Sequence, residues 1–193
     1  MQLHAYHTKR NFKQTSEPKG EVEHEGKLRF VVQRHDASHL HYDFRLELGG
    51  VLKSWAVPKG PSMSPKDKRL AMMVEDHPVS YIGFEGDIPE GNYGAGNVIV
   101  WDKGNFVPVD AHHEPLTEKQ ALAGIEHGEL KFLIKGKKLK GEFVLVHLQK
   151  DDDKNNSWLL IKHRDDYAVE KYNSEDHTPA AAKRASEKKR QKS

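Results

Sequence analysis

The chain has 193 residues, no cysteine, a net charge of +2, 36% hydrophobic residues and 31% charged ones. The missing cysteine excludes disulfides, thiolate chemistry and a zinc site built on Cys, and so small a net charge excludes a uniformly basic coat, leaving any nucleic-acid surface to a local patch. Low hydrophobic content beside high charge predicts one domain with a sizeable core and unpacked flanks.

No apolar run approaches the roughly 20 residues a membrane helix needs, and the start MQLHAYHTKR lacks the form of a signal peptide. A cytoplasmic protein without a membrane partner is the expectation. Residues 1–27 are polar and aperiodic and read as an extended arm. The folded part is expected over 28–170.

Arg29–Arg34, rich in Phe and Val, reads as a first strand, and Leu40–Leu48 as a second. Side chains alternate across a strand. Tyr42, Phe44, Leu46 and Leu48 therefore share an apolar face, while His41, Asp43 and Arg45 share the other. On the first strand, Val31 and Gln33 share a face that continues to His35. If the two strands are neighbours, His35, His41 and Asp43 converge. Taken singly, each of these residues reads better as part of the wet side of an antiparallel sheet. Together, opposite so clean an apolar face, they suit a divalent metal such as manganese, iron or zinc.

Gly49-Gly50 makes a turn, followed by a strand at Val51–Val57 that Pro58-Lys59-Gly60-Pro61 breaks. Ser62–Lys68 reads as a loop, and Arg69–Val74 as a strand ending before His77. The stretch from Ile82 to Asn97 is dense in glycine and acids; it lacks the Gly-Lys-Ser/Thr ending of a phosphate-cradling loop, so its glycines read as tight turns. Val98–Asp102 is a strand, with Lys103-Gly104 turning into Asn105–Val109.

Thr117 to His127 is a helix, with Thr117 as N-cap, Gln120 completing a capping box and Gly128 as the stop. Strands follow at Glu129–Lys135, Gly141–Gln149 and Ser157–Arg164, the last two separated by the solvated loop Lys150–Asn156. Many short strands between turn signals predict an antiparallel barrel or sandwich. Residues 171–193 are polar and basic and read as a disordered tail.

A metal on His35, His41 and Asp43 has open positions at which to polarise a phosphoryl oxygen or activate water. Arg45, Lys59 and Arg69 supply cations suited to phosphate oxygens, and His77 can orient or protonate a leaving oxygen. Phosphate-ester chemistry uses all of these groups. A non-haem iron oxygenase built on His41, Asp43 and His77 is the competing class, and it leaves the cations partly idle. A non-catalytic DNA-end-binding module working through the basic tail leaves the His/Asp face without a task.

The stretches QRHDASHLHYDFRLELGGVLKSWAVPKGPS, VEDHPVSYIGFEGDIPEGNYGAGNVIVWDKG, GELKFLIKGKKLKGEFVLV and WLLIKHRDDYA closely resemble the 3′-phosphoesterase domain of bacterial DNA ligase D, over roughly residues 10–168. Length leaves no room for a ligase or polymerase module, so the resemblance is to a stand-alone member. It implies a mainly β fold, a closed or nearly closed antiparallel barrel with one or a few short helices. It implies a manganese-dependent enzyme of DNA repair by non-homologous end joining. That enzyme removes a 3′-terminal ribonucleoside and then the 3′-phosphate, leaving a 3′-hydroxyl. Its partners would be DNA 3′ ends and a separate DNA ligase, polymerase or Ku, and its place the cytoplasm and nucleoid.

Carried over by resemblance, the metal ligands are His35, His41 and Asp43, and the phosphate-facing group is Arg45 and His77 with Tyr81. Gln33, Lys59, Arg69 and Glu75 match supporting positions, and TKRNFKQTSEP matches an N-terminal motif through Arg10 and Glu17. Asn11 stands where the family usually has Asp; the amide keeps hydrogen bonding and loses a charge, a loss expected to fall on the phosphodiesterase step.

Overall fold

Alternation along the strand Leu40–Leu48 (β2) sets the architecture: Tyr42, Phe44, Leu46 and Leu48 all lie in the central core. The structure, a computed structural model, describes residues 3–20, 26–148 and 156–183. Before β2 come a short helix at His4–Thr8 (α1) and the strand Arg29–Asp36 (β1); after it come β3 (Val51–Val57), β4 (Lys68–Pro78), β5 (Gly86–Ile88) and β6 (Gly96–Val109). A helix at Glu118–His127 (α2) then precedes β7 (Glu129–Lys135), β8 (Lys140–His147) and β9 (Ser157–Lys162).

All pairings are antiparallel, in the order β1-β2-β3-β4-β9-β8-β7-β6-β5, and β1 pairs again with β6. That second pairing closes eight strands into a barrel, with β5 attached along β6. Phe30, Phe44, Trp55, Phe106, Phe132, Phe143 and Trp158 fill the interior. Burying such rings is worth about 1.5–3 kcal/mol each. Helix α2 is built as its sequence implies. Thr117 and Gln120 form a reciprocal capping box, and Gly128 ends the helix at φ 90°.

The structure differs from the sequence expectation in four places. First, Lys103-Gly104 is not a turn, because β6 runs unbroken from β1 to β7. Glycine is needed at position 104 for close approach: a Cβ there would lie 2.1 Å from the Lys135 carbonyl oxygen and 3.1 Å from the Phe30 ring. Second, β4 continues to Pro78, so His77 sits on the strand rather than after it. Third, the arm is not featureless: α1 carries the fully buried Tyr6, which packs with Leu52, Tyr81, Phe84, Ile88 and Val98 in a second apolar cluster outside the barrel.

Fourth, residues 172–178 pack on the barrel rather than belonging to a disordered tail. Tyr172 lies against the core, and a short 3-10 turn at Ser174–His177 follows it. There Glu175 pairs with Arg34 and accepts from Tyr42 Oη, and Trp101 Nε1 donates to Thr178 Oγ1 at 3.1 Å. Polar composition hid this segment because its polar groups find partners on buried barrel residues. The loop expected at Lys150–Asn156, apart from Asn156, and residues 184–193 lie outside the described residues.

Gly104→Ala should lower unfolding stability by about 1–3 kcal/mol, the usual cost of forcing atoms into a filled space. A drop in the urea midpoint with the slope unchanged is the expected signature. An unchanged midpoint would mean that β6 and β7 part without cost.

Candidate active site

The second face of β2 is buried too. His41 pairs with His35 across the β1–β2 ladder, and Asp43 with Gln33. Arg45 on β2 pairs with Ser54 on β3. Asp43, Arg45, Gln33 and Ser54 are all buried beneath α1 and the 3-10 turn Val79–Gly83. The face that alternation marks as polar is thus an internal polar layer between the barrel and the second cluster.

At one end of this layer, ligand atoms of His35, His41 and Asp43 all lie within 4.8 Å of one another. His35 Nε2 meets the Gly94 carbonyl at 2.8 Å, and His41 Nδ1 meets the His39 carbonyl at 2.9 Å. Each of these nitrogens must donate to its carbonyl, which fixes the tautomers by the hydrogen-bond pattern. The unprotonated nitrogens, His35 Nδ1 and His41 Nε2, then face the Asp43 carboxylate at 3.3 and 3.7 Å. The three groups converge on one point, an arrangement that a cation satisfies. Backbone carbonyls on the outer ring nitrogens are the usual support of metal-bound histidines. The donor set of two imidazoles and one carboxylate suits manganese, iron or zinc.

Burial alone would raise the Asp43 pKa; the Arg45 guanidinium beside it outweighs that and holds the carboxyl well below the ordinary range. Arg45 reaches Asp43 Oδ2 at 3.1 Å, donates to Gln33 Oε1 and Ser54 Oγ at 2.9 Å each, and lies 5.0 Å from the Tyr81 ring centre. Gln33 in turn donates to the carbonyls of Tyr81 and Phe84. Ser54 Oγ is 3.5 Å from His77 Nδ1.

His77 is held neutral. Burial first, then the nearby Arg45 and Arg10 guanidiniums, drive its pKa well below the usual histidine value. Nδ1 donates to the Glu75 carbonyl at 2.9 Å, so Nε2 accepts from Arg10 Nη2 at 3.1 Å. In this state His77 orients Arg10; it supplies a proton only after gaining one. Arg10 also reaches Glu17 and Glu75, both at 2.9 Å, and stacks 4.0 Å from the Tyr6 ring centre. Tyr81 Oη donates to Glu17 Oε1 at 3.0 Å.

Of the residues singled out in the sequence, His35, His41, Asp43, Arg45, Gln33, His77, Tyr81, Glu75, Arg10 and Glu17 form one continuous cluster. Lys59 is exposed in the turn after β3, two residues past Val57, which pairs with Tyr42. Arg69 is not brought to the cluster. It shares the core-side face of β4 with Ala71 and Met73 and bonds Asp67 and the Tyr172 carbonyl. Asn11 is exposed and accepts from the Lys13 amide at 3.2 Å, opening the turn that leads to Glu17. The oxygenase set of His41, Asp43 and His77 is not assembled, because both ring nitrogens of His77 are engaged and Arg45 bridges Asp43 to Ser54. Sequence reasoning missed Ser54 and Tyr6. Ser54 was findable by pairing β3 with β2; Tyr6 sits in an arm without period and carries no such signal.

Because native His77 stays neutral while the unfolded residue protonates below about pH 6.5, the unfolded state binds the extra proton and stability falls on acidification. Wild type should lose about 1.4 kcal/mol per pH unit below that point relative to His77→Gln. Urea unfolding from pH 7.5 to 5.0, without metal, measures the gap; parallel curves would show that His77 is charged in the folded protein.

A family model for the DNA ligase D 3′-phosphoesterase domain matches residues 33–147. The multifunctional non-homologous end joining protein LigD of Pseudomonas aeruginosa is 51% identical over 166 residues, 84% of this chain and 19% of that protein. Its namesake in Mycolicibacterium smegmatis is 36% identical over 165 residues, 84% of this chain and 21% of that protein. A multifunctional non-homologous end joining DNA repair protein LigD from Mycobacterium tuberculosis is 40% identical over 142 residues, 72% of this chain and 17% of that protein. The chain spans about a fifth of the length of these relatives. The matched span holds both histidines, the aspartate, Arg45 and His77 of the buried polar layer, and the chain belongs to the DNA ligase D 3′-phosphoesterase domain family.

Proposed function

We propose that this protein is a manganese-dependent hydrolase of DNA 3′ ends, removing a terminal ribonucleoside and then the remaining 3′-phosphate during end joining. The observation that carries the reading is the junction, on one buried face, of a His-His-Asp donor set with two guanidiniums and a neutral imidazole. His35 Nδ1, His41 Nε2 and an Asp43 oxygen would hold the metal, which supplies Lewis acidity toward a phosphoryl oxygen and a more acidic water.

The chain's own groups do the remaining work. Arg45 and Arg10 offer fork-shaped donors matched to phosphate oxygens, where charge accumulates during transfer. Asp43, Gln33 and Ser54 fix the first guanidinium; Glu17, Glu75 and His77 fix the second. Because both are held before substrate arrives, little reorganisation opposes the reaction. His77 Nε2, once released by Arg10 and protonated, is placed to pass a proton to a leaving oxygen. The α1 arm excludes water from this layer. DNA 3′ ends are the proposed partners, with a ligase, polymerase or Ku acting on the product.

The test uses 5′-labelled primer–templates ending in a ribonucleotide or a 3′-phosphate, each with and without manganese. Products one nucleoside shorter with a 3′-phosphate, and then 3′-hydroxyl ends, are expected only with metal; intact ends under all conditions would defeat the reading. His41→Ala should lose both bound metal and turnover. His77→Ala should keep its metal content while turnover falls by about a hundredfold or more, the scale seen on losing one preorganised group. Metal analysis of the purified variants beside their rates checks both, and a metal-free, folded His77→Ala protein would reverse the assignment. Deleting residues 1–20, which removes Arg10, Glu17 and Tyr6, should cripple both steps.

A further inference from the structure

Tyr93 is half exposed, one of five large apolar residues at the surface among the described residues. It stands in the glycine-rich turn between β5 and β6, directly before Gly94, whose carbonyl holds His35 Nε2 at 2.8 Å. Its ring therefore sits one residue from a support of the metal donors. The turn is braced from within by bonds from the Asn92 and Ala95 amides to the Pro89 and Asn92 carbonyls.

Two cations lie over the ring, and half of the residue stays open to solvent. Lys9 Nζ lies 4.7 Å and the Arg10 guanidinium carbon 5.6 Å from its centre. Lys9 and Arg10 also bond Glu75, which ties the arm, β4 and this turn together around the ring. Tyr93 makes no part of either apolar cluster. An aromatic left open beside cations, at the mouth of a phosphate-facing site, has the form of a stacking platform for a nucleobase.

We propose that Tyr93 stacks on the base of the 3′-terminal nucleotide, so that the phosphate attached to that nucleotide lies against Arg10, Arg45 and the metal donors. This deepens the proposed function and rests on it. Tyr93 is a positioning residue in this scheme: it touches the base, and the chemistry lies elsewhere. Stacking of this kind is sequence-tolerant, since every base presents a π-face. All four terminal bases should therefore be accepted, and a terminus without a base should be handled poorly.

The experiment compares 3′-phosphate ends whose last residue is either deoxyadenosine or a tetrahydrofuran abasic analogue. With manganese, Tyr93→Ala should raise KM for the deoxyadenosine end by about fivefold to a hundredfold, the range of one base–aromatic stack. Its kcat should stay near wild type, its kinetics on the abasic end should be unchanged, and Tyr93→Phe should match wild type on both. Equal loss on both ends would overturn the proposal, because it would reduce Tyr93 to a prop for Gly94 and His35; no change on either end would overturn it as well. If wild type hydrolyses neither end, the enzymatic reading fails on its own. Fluorescence anisotropy of the same two ends, measured without metal, then decides the stacking. The proposal stands only if Tyr93→Ala weakens binding of the deoxyadenosine end and spares the abasic one.

Discussion

A buried carboxylate has to stay ionised for the His-His-Asp cluster to exist, and the Asp43–Arg45 pair meets that requirement. Removing a carboxylate from water raises its pKa strongly unless a cation compensates. Arg45 provides that cation from two residues along the same strand, at 3.1 Å. Two-residue spacing is what places both side chains on one face. Gln33 and Ser54 accept from two more N–H groups of Arg45, and its guanidinium lies over the Tyr81 ring. Losing the arginine would leave a buried anion uncompensated, which typically costs about 3–5 kcal/mol.

The arm extends the same logic outward. Arg10 stands to Glu17 and Glu75 as Arg45 stands to Asp43: a guanidinium buried among acceptors and backed by an aromatic ring. Burial raises the Glu75 pKa, and the bonds from Lys9 and Arg10 more than reverse it, leaving the carboxyl below its ordinary value. Charges of both signs alternate through the layer, so each is partnered without access to bulk water. This arrangement needs α1 in place. Without Tyr6 and its neighbours, the face of β2 would be the wet side of an ordinary sheet.

Much of the barrel was legible because its strands obey period two against a filled interior. β2, β3 and β7 begin and end where alternation and flanking glycines put them, and the capping box announced α2. The His-His-Asp cluster was legible for the same reason, since His41-x-Asp43 lies on one strand and His35 is reached by continuing the face of its neighbour. What the sequence hid was tertiary. Lys103-Gly104 looks like a turn because proximity to the Lys135 carbonyl leaves no local mark. Arg69 looks like a phosphate ligand because residue type does not reveal that its strand face turns inward. Residues 172–178 look disordered because their partners, Arg34, Tyr42 and Trp101, are far away in the chain.

Closure of the barrel through the β1–β6 pairing has a topological consequence. A strand can be added to a sheet only where a row of backbone donors and acceptors is unpaired. Ring closure removes such rows around the barrel. Among the described residues, the rim left is β5, three residues long, the short run of β6 between its pairings with β5 and β7, and the stretch of β4 beyond Met72, where the arm packs alongside. Backbone-templated docking therefore has almost no foothold on this domain. Whatever the domain grips, it must grip with side chains projecting from turns and from the arm. Changes in those segments can alter recognition while the hydrogen-bonded frame beneath them stays the same.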